Sequence, residues 1–374
     1  MAGLVVSGTG VFVPPHKISN EEIVASFNTY VHRFNQSRAA EIASGAAKPL
    51  LECSCEFIVR ASGIKNRYVF DKEGILDPDQ LRPTIPERPN EALSVMAEMA
   101  VAAAREALAA AEKKSADIDG VIVSCAVLQR AYPSVAIEVQ NALGISGFGF
   151  DMSVGCASAT YAIHIARGLI ETGGARAILI CNPEILSGHA NFRERDSHFL
   201  FGDACTAIVV ERAEGATGIN VWEIVSSKLK AQFSSNIRNN FGFLNRCAPE
   251  SADLPDKLFV QQGRKVFKEV LPLVSHFIQE HLAENALAAT DIQRLWLHQA
   301  NINMNQFVAH KVFGRDPTPS EAPNVIGEYA NTSSAGAIIC FNHHSADMKA
   351  GDHGVLCTFG AGYSAGSVIL KKLP

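Results

Sequence analysis

A weak internal repeat constrains this chain more than any other feature. Asp117-Ile118 followed by Val121-Ile122-Val123 is echoed by Asp291-Ile292 followed by Leu295-Trp296-Leu297, and Gly174 to Cys181 is echoed by Gly351 to Thr358. Both matches share an offset of about 175 residues, so the chain reads as two similar halves. The expected division is 1–212 and 213–374, joined around Glu211 to Thr217. At that offset Cys156 falls opposite Asn331, and chemistry is expected at the pseudo-twofold junction between the halves.

Within each half, short apolar runs alternate with alanine-rich stretches. Glu91 to Ala111 predicts a helix, Gly120 to Val127 a strand, Ser134 to Leu143 a helix and Gly147 to Val154 a strand. Ala157 to Thr172 predicts a helix, with strands at Ala177 to Cys181 and Thr206 to Glu211. Buried strands between helices give an α/β fold class. Two segments stand outside the repeat: Asn20 to Glu56, long and partly helical, and Asp71 to Pro89, a loop rich in Pro, Asp and Arg. Long added loops of this kind often cover binding sites.

At 374 residues and 47% hydrophobic, the chain can bury two fused cores. The opening MAGLVVSGTGVFVPP lacks a basic leader region and breaks its apolar run with Gly8, Gly10 and Pro14, so a soluble, cytoplasmic protein without membrane contact is expected. A net charge of −5 argues against nucleic acid. The nine cysteines are odd in number and scattered through apolar runs, and Cys53-x-Cys55 has no second half; neither disulfides nor a metal site is expected.

Val154-Gly155-Cys156-Ala157-Ser158-Ala159 places a cysteine after a strand and at the start of a helix. Gly155 permits the tight turn, and a helix N-terminus lowers a thiol pKa, which suits an acyl-accepting nucleophile. Alone the position is more often that of a small buried residue. Leu297-His298-Gln299-Ala300-Asn301 adds a histidine at a strand end, where ligand crevices of α/β sheets open, and Ala330-Asn331-Thr332-Ser333-Ser334-Ala335-Gly336 adds a polar donor before an apolar helix.

With GCASA, HQAN and ANTSSAG stand PHKISNEEI, SGIKNR, YPSVAIEVQNALGI, FGDACTAIVVE and FGAGYSAG, in order over nearly the whole chain. Together they resemble the 3-oxoacyl-(acyl-carrier-protein) synthase III family of the thiolase superfamily. The resemblance implies a thiolase-like fold of two similar halves in five α-β-α-β-α layers, a homodimer, and no cofactor beyond the substrates acyl-CoA and malonyl-acyl carrier protein (malonyl-ACP). It implies that Cys156 takes the acyl group, with the Cys156 and Gly362 N–H groups as the oxyanion hole. His298 and Asn331 would hold the enolate left when malonyl-ACP loses carbon dioxide. Phe359 resembles the aromatic residue beside the nucleophile, Tyr132 a residue reaching into the partner's acyl pocket, Arg195 and Asn301 CoA contacts, and Gly263 part of the pantetheine path. Asp203 reads as structural.

Three positions depart from the family pattern, two in the CoA clamp and one beside HQAN. The CoA clamp usually pairs tryptophan with arginine; here Phe57 stands for the former, and Ala61 occupies the arginine position, with Arg60 one place off. Asn303 stands where an arginine often docks the carrier protein, leaving Lys265, Lys268, Lys311 and Arg315 as candidate substitutes. The altered clamp and added cover predict a primer longer than acetyl, of medium chain length.

The other readings weigh less. Gly362-Tyr363-Ser364-Ala365-Gly366 matches a hydrolase nucleophile elbow, but no acid or histidine follows it. The glycine-rich GTGVFVPP and GAGYSAG lack the spacing of a dinucleotide or phosphate loop. An acyltransferase using Cys156 without decarboxylation is the nearer alternative; a non-catalytic acyl-binding partner would have lost one of Cys156, His298 and Asn331.

Overall fold

The computed structural model describes residues 3–374; the first two residues of the segment read above for a leader lie outside it. Its strands are β1 (Leu4–Phe12), β2 (His16–Ser19), β3 (Asn66–Val69), β4 (Gly120–Ser124), β5 (Phe148–Met152), β6 (Ala177–Glu184), β7 (Ala204–Arg212), β8 (Trp222–Ser234), β9 (Ile237–Arg238), β10 (Val260–Gln261), β11 (Ile292–Leu297), β12 (His353–Gly360) and β13 (Gly362–Lys372). Its α-helices are α1 (Asn20–Ser37), α2 (Ala39–Ala43), α3 (Cys55–Ser62), α4 (Glu73–Leu76), α5 (Val95–Ala110), α6 (Val135–Leu143), α7 (Ser158–Glu171), α8 (Gly263–Glu284), α9 (Ile302–Phe313), α10 (Ile326–Tyr329) and α11 (Ala335–His343).

Strand alternation builds the layers. On β6, Ile178 and Ile180 point to one core while Ala177, Leu179 and Cys181 point to another. Both faces are buried, so the run reads as continuously apolar. The same holds on β12, where Leu356 faces one side and Val355, Cys357 and Phe359 the other. The shared inner core contains Ala159, Ile163 and Ala166 of α7 and Ile338, Ile339 and Phe341 of α11. Helices α5 and α6 cover the outer face of β4, β6 and β7, and α8 and α9 cover that of β11 to β13. The result is the expected α-β-α-β-α stack, with α7 and α11 as its middle layer.

The repeat pairs expected from sequence occupy matching places. β4 and β11 each follow a short 3-10 turn, and β6 and β12 are their sheet neighbours in parallel register. All nine long strands join in one sheet, ordered β11-β12-β13-β8-β1-β7-β6-β4-β5. Among the described residues, its two parts pair through Val5↔Glu223 and Val6↔Trp222.

Boundaries shift where side chains intervene. The helix expected from Glu91 begins at Val95 because the Ser94 hydroxyl caps it, accepting from the Ala97 N–H. The strand expected to reach Val127 stops at Ser124, and the Ala126 N–H turns to the Glu184 carboxylate instead of a neighbouring strand. The added segment is helical in α1, started by a Ser19/Glu22 capping box, and in α2, and non-helical from Ser44 to Ser54. It packs Phe27, Val31 and Cys53 into a fourth core with Phe199 and Phe201. No helix among the described residues is long and apolar enough to cross a membrane.

Candidate active site

The turn Val154-Gly155-Cys156 is made possible by Gly155, whose φ of +55° lies in the left-handed region. It delivers Cys156 two residues ahead of α7, on the wall of a cavity of about 1270 Å³. The Ser158 hydroxyl accepts from the Val154 N–H and reaches the Gly155 carbonyl at 2.7 Å, which holds the turn closed. Gly360, the last residue of β12, runs against the cysteine: a β-carbon there would sit 2.7 Å from Cys156 Cβ and 3.0 Å from Sγ.

His298 lies immediately beyond β11. Its N–H donates to the Cys357 carbonyl at 2.8 Å, so the neighbouring strand β12 sets its place. The ring packs edge-on against Phe359, with centroids 5.3 Å apart, and Nδ1 is buried without a hydrogen-bond partner. Burial pulls the imidazole down to about 4, opposed in part by a backbone hydrogen bond with Ser333, so the ring is neutral at neutral pH.

Asn331 lies in the loop between α10 and α11. Its backbone exchanges hydrogen bonds with Leu200 and Gly202, which ties this loop to the one leading into β7. The side-chain Oδ1 accepts from the Ser333 N–H at 2.9 Å, so the amide is oriented with Nδ2 as its remaining donor end. Both Ala330 and Ser333 carry positive φ, 55° and 50°, and this strain flanks the asparagine. Cys156, His298, Asn331 and Phe359 all line the one cavity.

The expected low thiol pKa is overturned. Cys156 is partly exposed to the cavity, yet its thiol is desolvated by surrounding protein and pushed up to about 11, with the Ser333 hydroxyl pulling it only part of the way back. Burial outweighs the helix start.

Of the remaining expected residues, Phe57, Arg195, Gly263 and Asn301 line the same cavity. The Arg195 guanidinium lies 4.3 Å over the Phe57 ring, so the arginine stacked on Phe57 comes from a distant loop and not from the position of Ala61. Asn301 caps α9 and donates to the Ala61 carbonyl, a structural duty that accompanies its place in the wall. No protein atom lies within 4 Å of where a Gly263 side chain would begin. Tyr132 is 85% exposed and lies outside the cavity lining. Gly362 is also outside it, solvent-exposed; Gly360 is the glycine that meets Cys156. Asp203 is buried and accepts from the Ser187 and Phe70 N–H groups, the structural role expected of it.

The added segment from Asn20 to Glu56 supplies no residue to the cavity wall. It acts from behind: Phe27 stacks on His198 at 4.2 Å, and the Glu52 carbonyl accepts from Arg195 Nε at 2.7 Å. The wall that sequence did not foresee comes from Leu254 and Phe259 in the stretch between β9 and α8 and from Val266 and Phe267 on the first turns of α8. Among the candidate carrier-docking cations, Arg315 is paired with Glu321 and Lys311 lies over Phe307, while Lys265 and Lys268 are exposed on the first turns of α8.

Comparison with known proteins agrees with this geometry. The family model described as 3-oxoacyl-[acyl-carrier-protein (ACP)] synthase III matches residues 150–232, and that of its C-terminal part matches 282–372. The beta-ketodecanoyl-[acyl-carrier-protein] synthase of Pseudomonas aeruginosa is 57% identical, over 93% of this chain and 99% of its own length. The fold is that of the solved 3-oxoacyl-[acyl-carrier-protein] synthase III of Aquifex aeolicus, with a TM-score of 0.75 at 23% identity over 99% of this chain and 100% of the other. The same enzyme from Pseudomonas aeruginosa gives 0.76 at 21% identity, over 100% of this chain and 99% of the other. This chain therefore belongs to the 3-oxoacyl-ACP synthase III family of condensing enzymes, which are acyltransferases of thiolase-like fold.

Proposed function

We propose that this enzyme condenses a medium-chain acyl-CoA with malonyl-ACP, giving 3-oxoacyl-ACP, carbon dioxide and CoA. The observation that carries the proposal is the single cavity in which Phe57 and Arg195 share walls with Cys156, His298 and Asn331. A CoA thioester entering beside Phe57 and Arg195 passes Gly263, where open space takes the pantetheine arm. The Cys156 thiolate attacks the thioester carbonyl, and the oxyanion is received by the Cys156 N–H and the backbone of the Gly360–Gly362 turn. Collapse expels CoA and leaves an acyl-cysteine.

Malonyl-ACP then follows. Loss of carbon dioxide leaves the bond's electron pair on the thioester as an enolate, whose oxygen accepts hydrogen bonds from His298 and Asn331. A neutral imidazole suits this task, because it donates without delivering a proton to the carbanion. The enolate carbon attacks the acyl-cysteine, and the thiolate leaves. Every step is a thioester exchange, a decarboxylation or an acyl substitution by the enolate carbon, and none changes an oxidation state in a way that calls for an external oxidant or reductant.

A 3-oxodecanoyl product, as named for the Pseudomonas relative, is assembled from an eight-carbon primer and the two carbons malonyl contributes. That supports octanoyl-CoA as the primer here. The halves 1–212 and 213–374 are read as two thiolase-like units, one bringing the cysteine and the other the histidine and asparagine. A homodimer is supported by β5, a sheet edge flanked by the exposed Tyr132 and Ile137. Tyr132 then serves the partner's acyl pocket. Lys265 and Lys268 are the cations best placed for an acidic carrier protein, and the cytoplasm is where both substrates occur.

Acyl-CoAs of two to twelve carbons, supplied with malonyl-ACP, decide the matter by 3-oxoacyl product and by the intact mass of the enzyme. Octanoyl-CoA is expected to be preferred, and Cys156→Ala to abolish condensation. Better use of acetyl-CoA rejects the medium-chain assignment; acyl-Cys156 without carbon dioxide release rejects condensation in favour of simple acyl transfer.

A further inference from the structure

Tyr363 lies three residues beyond Gly360, at the start of β13, and the chemistry described above makes no use of it. Its ring is 2% exposed and belongs to the core beneath α8, together with Val266 and Val270. The hydroxyl donates to Glu269 Oε2 on α8 at 2.8 Å. Asn236, in the turn between β8 and β9, donates from Nδ2 to the same carboxylate oxygen at 2.9 Å and to the tyrosine oxygen at 2.8 Å. The three side chains close a ring of hydrogen bonds, two of them to a carboxylate, which are the stronger kind.

Each member of the ring holds a different piece of the cavity. Glu269 stands on α8 between Val266 and Val270, both in the cavity wall. Asn236 precedes Ile237, also in the wall, and its carbonyl accepts from the Gln262 N–H at 2.8 Å, which fixes the short β9–β10 ladder and the approach to Gly263. That ladder is separate from the nine-stranded sheet, so its place depends on ties of this sort and on the Phe259 N–H, which donates to the His189 carbonyl at 2.9 Å. Tyr363 is fixed by the main sheet: its neighbour Gly362 pairs with Ser234 of β8, and Gly360 runs against Cys156. The ring therefore joins an apolar wall of the cavity to the turn that meets the nucleophile.

We propose that Tyr363 is a positioning residue that fixes this wall against the turn meeting Cys156, and so sets how an acyl chain lies relative to the sulfur. It touches no reacting atom and acts through Ile237, Val266 and Val270. A chain of medium length gains from a wall held in fixed register with the thiol, whereas a reagent too small to reach the wall gains nothing. Selectivity for long over short chains is the quantity the hydroxyl controls. The proposal rests on the reading of this cavity as the seat of the primer.

Tyr363→Phe tests it, since that change removes the hydroxyl and keeps the packed ring. Cys156 is alkylated with iodoacetamide and with N-octyl iodoacetamide, each followed by the mass of the Cys156 peptide and normalised to its rate with a free thiol. The ratio of the two rates reads the wall without calling on the enzyme's own reaction, and acylation by octanoyl-CoA is measured beside it. The variant is expected to react with iodoacetamide at the wild-type rate and to lose about tenfold with the octyl reagent and with octanoyl-CoA, the scale of one hydrogen bond to a carboxylate. Glu269→Ala, at an exposed position, is expected to do the same; Glu269→Gln, whose amide oxygen still accepts from both donors, is expected to keep the wild-type ratio. An unchanged ratio in folded Tyr363→Phe overturns the proposal. So does an equal loss with both reagents, which marks a displaced cysteine turn, and so does a wild type without preference for the octyl reagent, whose wall then seats no chain. If the wild type shows that preference but is acylated by no acyl-CoA, the functional reading fails while the ratio still decides the role of Tyr363.

Discussion

Gly360 runs against the side chain of Cys156, so close that a β-carbon on the glycine would lie 2.7 Å from the cysteine Cβ and 3.0 Å from its sulfur. The first separation is below what real β-carbons show and the second is tight, and the cysteine Cβ cannot give way without opening the Gly155 turn. Gly360→Ala is therefore expected to displace the thiol and lower Cys156 acylation at least about 10²-fold, the scale of losing an oxyanion donor. Intact mass after an acyl-CoA pulse measures it. Gly362→Ala tests the neighbouring glycine by the same assay and, away from the cavity wall, is expected to retain more activity.

Asn331→Ala removes the proposed enolate donor, which acylation by the same proposal does not use. Carbon dioxide release should fall by about 10²–10³-fold while Cys156 still acylates at close to the wild-type rate. Single-turnover assays of the two half-reactions separate them. Loss of both together would contradict the assigned role.

Arg195→Ala breaks the stack on Phe57 in the cavity wall, where the proposal has the CoA enter. KM for acyl-CoA is expected to rise about tenfold, corresponding to roughly 1.4 kcal/mol of lost binding, with kcat little changed. Steady-state kinetics at varied acyl-CoA read the split. An equal fall in kcat would place the arginine nearer the chemistry than the cavity wall suggests.

His281 is buried between Ser226 and Ser367, and burial pulls it down to about 4. Because the unfolded chain takes up this proton near pH 6.5 and the folded one only near 4, stability is lost as pH falls through that window. His281→Gln is expected to be less stable than wild type at pH 7 and to close much of that gap by pH 4.5, as followed by urea denaturation at each pH. A gap that stays constant with pH would show that the imidazole is not neutral in the folded protein.

The site was legible where local sequence decides position. Cys156 and Asn331 each precede a middle-layer helix, and His298 ends a strand, all readable from apolar runs and their boundaries. The Arg195–Phe57 stack was not, because the two residues meet only through tertiary packing; the local pattern pointed instead to a missing arginine at Ala61. Nor could the sequence distinguish Gly360 from Gly362, since which glycine of GAG meets the cysteine depends on where β12 ends. The thiol pKa was misjudged because a helix start is visible in sequence and desolvation by the other half is not. The wall between β9 and α8 escaped notice because it is mostly irregular, without the periodicity that marks strands and helices. Tyr363 escaped for a different reason: its hydroxyl gains meaning only from Asn236 and Glu269, which the fold brings to it.

Arg195 is held by the carbonyl of Glu52, a backbone group present whatever side chain stands there. The hold on Arg195 is thus indifferent to the side chain at Glu52 and sensitive to the length of the stretch between α2 and α3. Substitutions at Glu52 should leave the guanidinium in place, whereas a residue inserted or removed between Ser44 and Glu52 shifts the carbonyl and sets the arginine loose. Relatives with the same clamp can therefore diverge freely in composition here while keeping count.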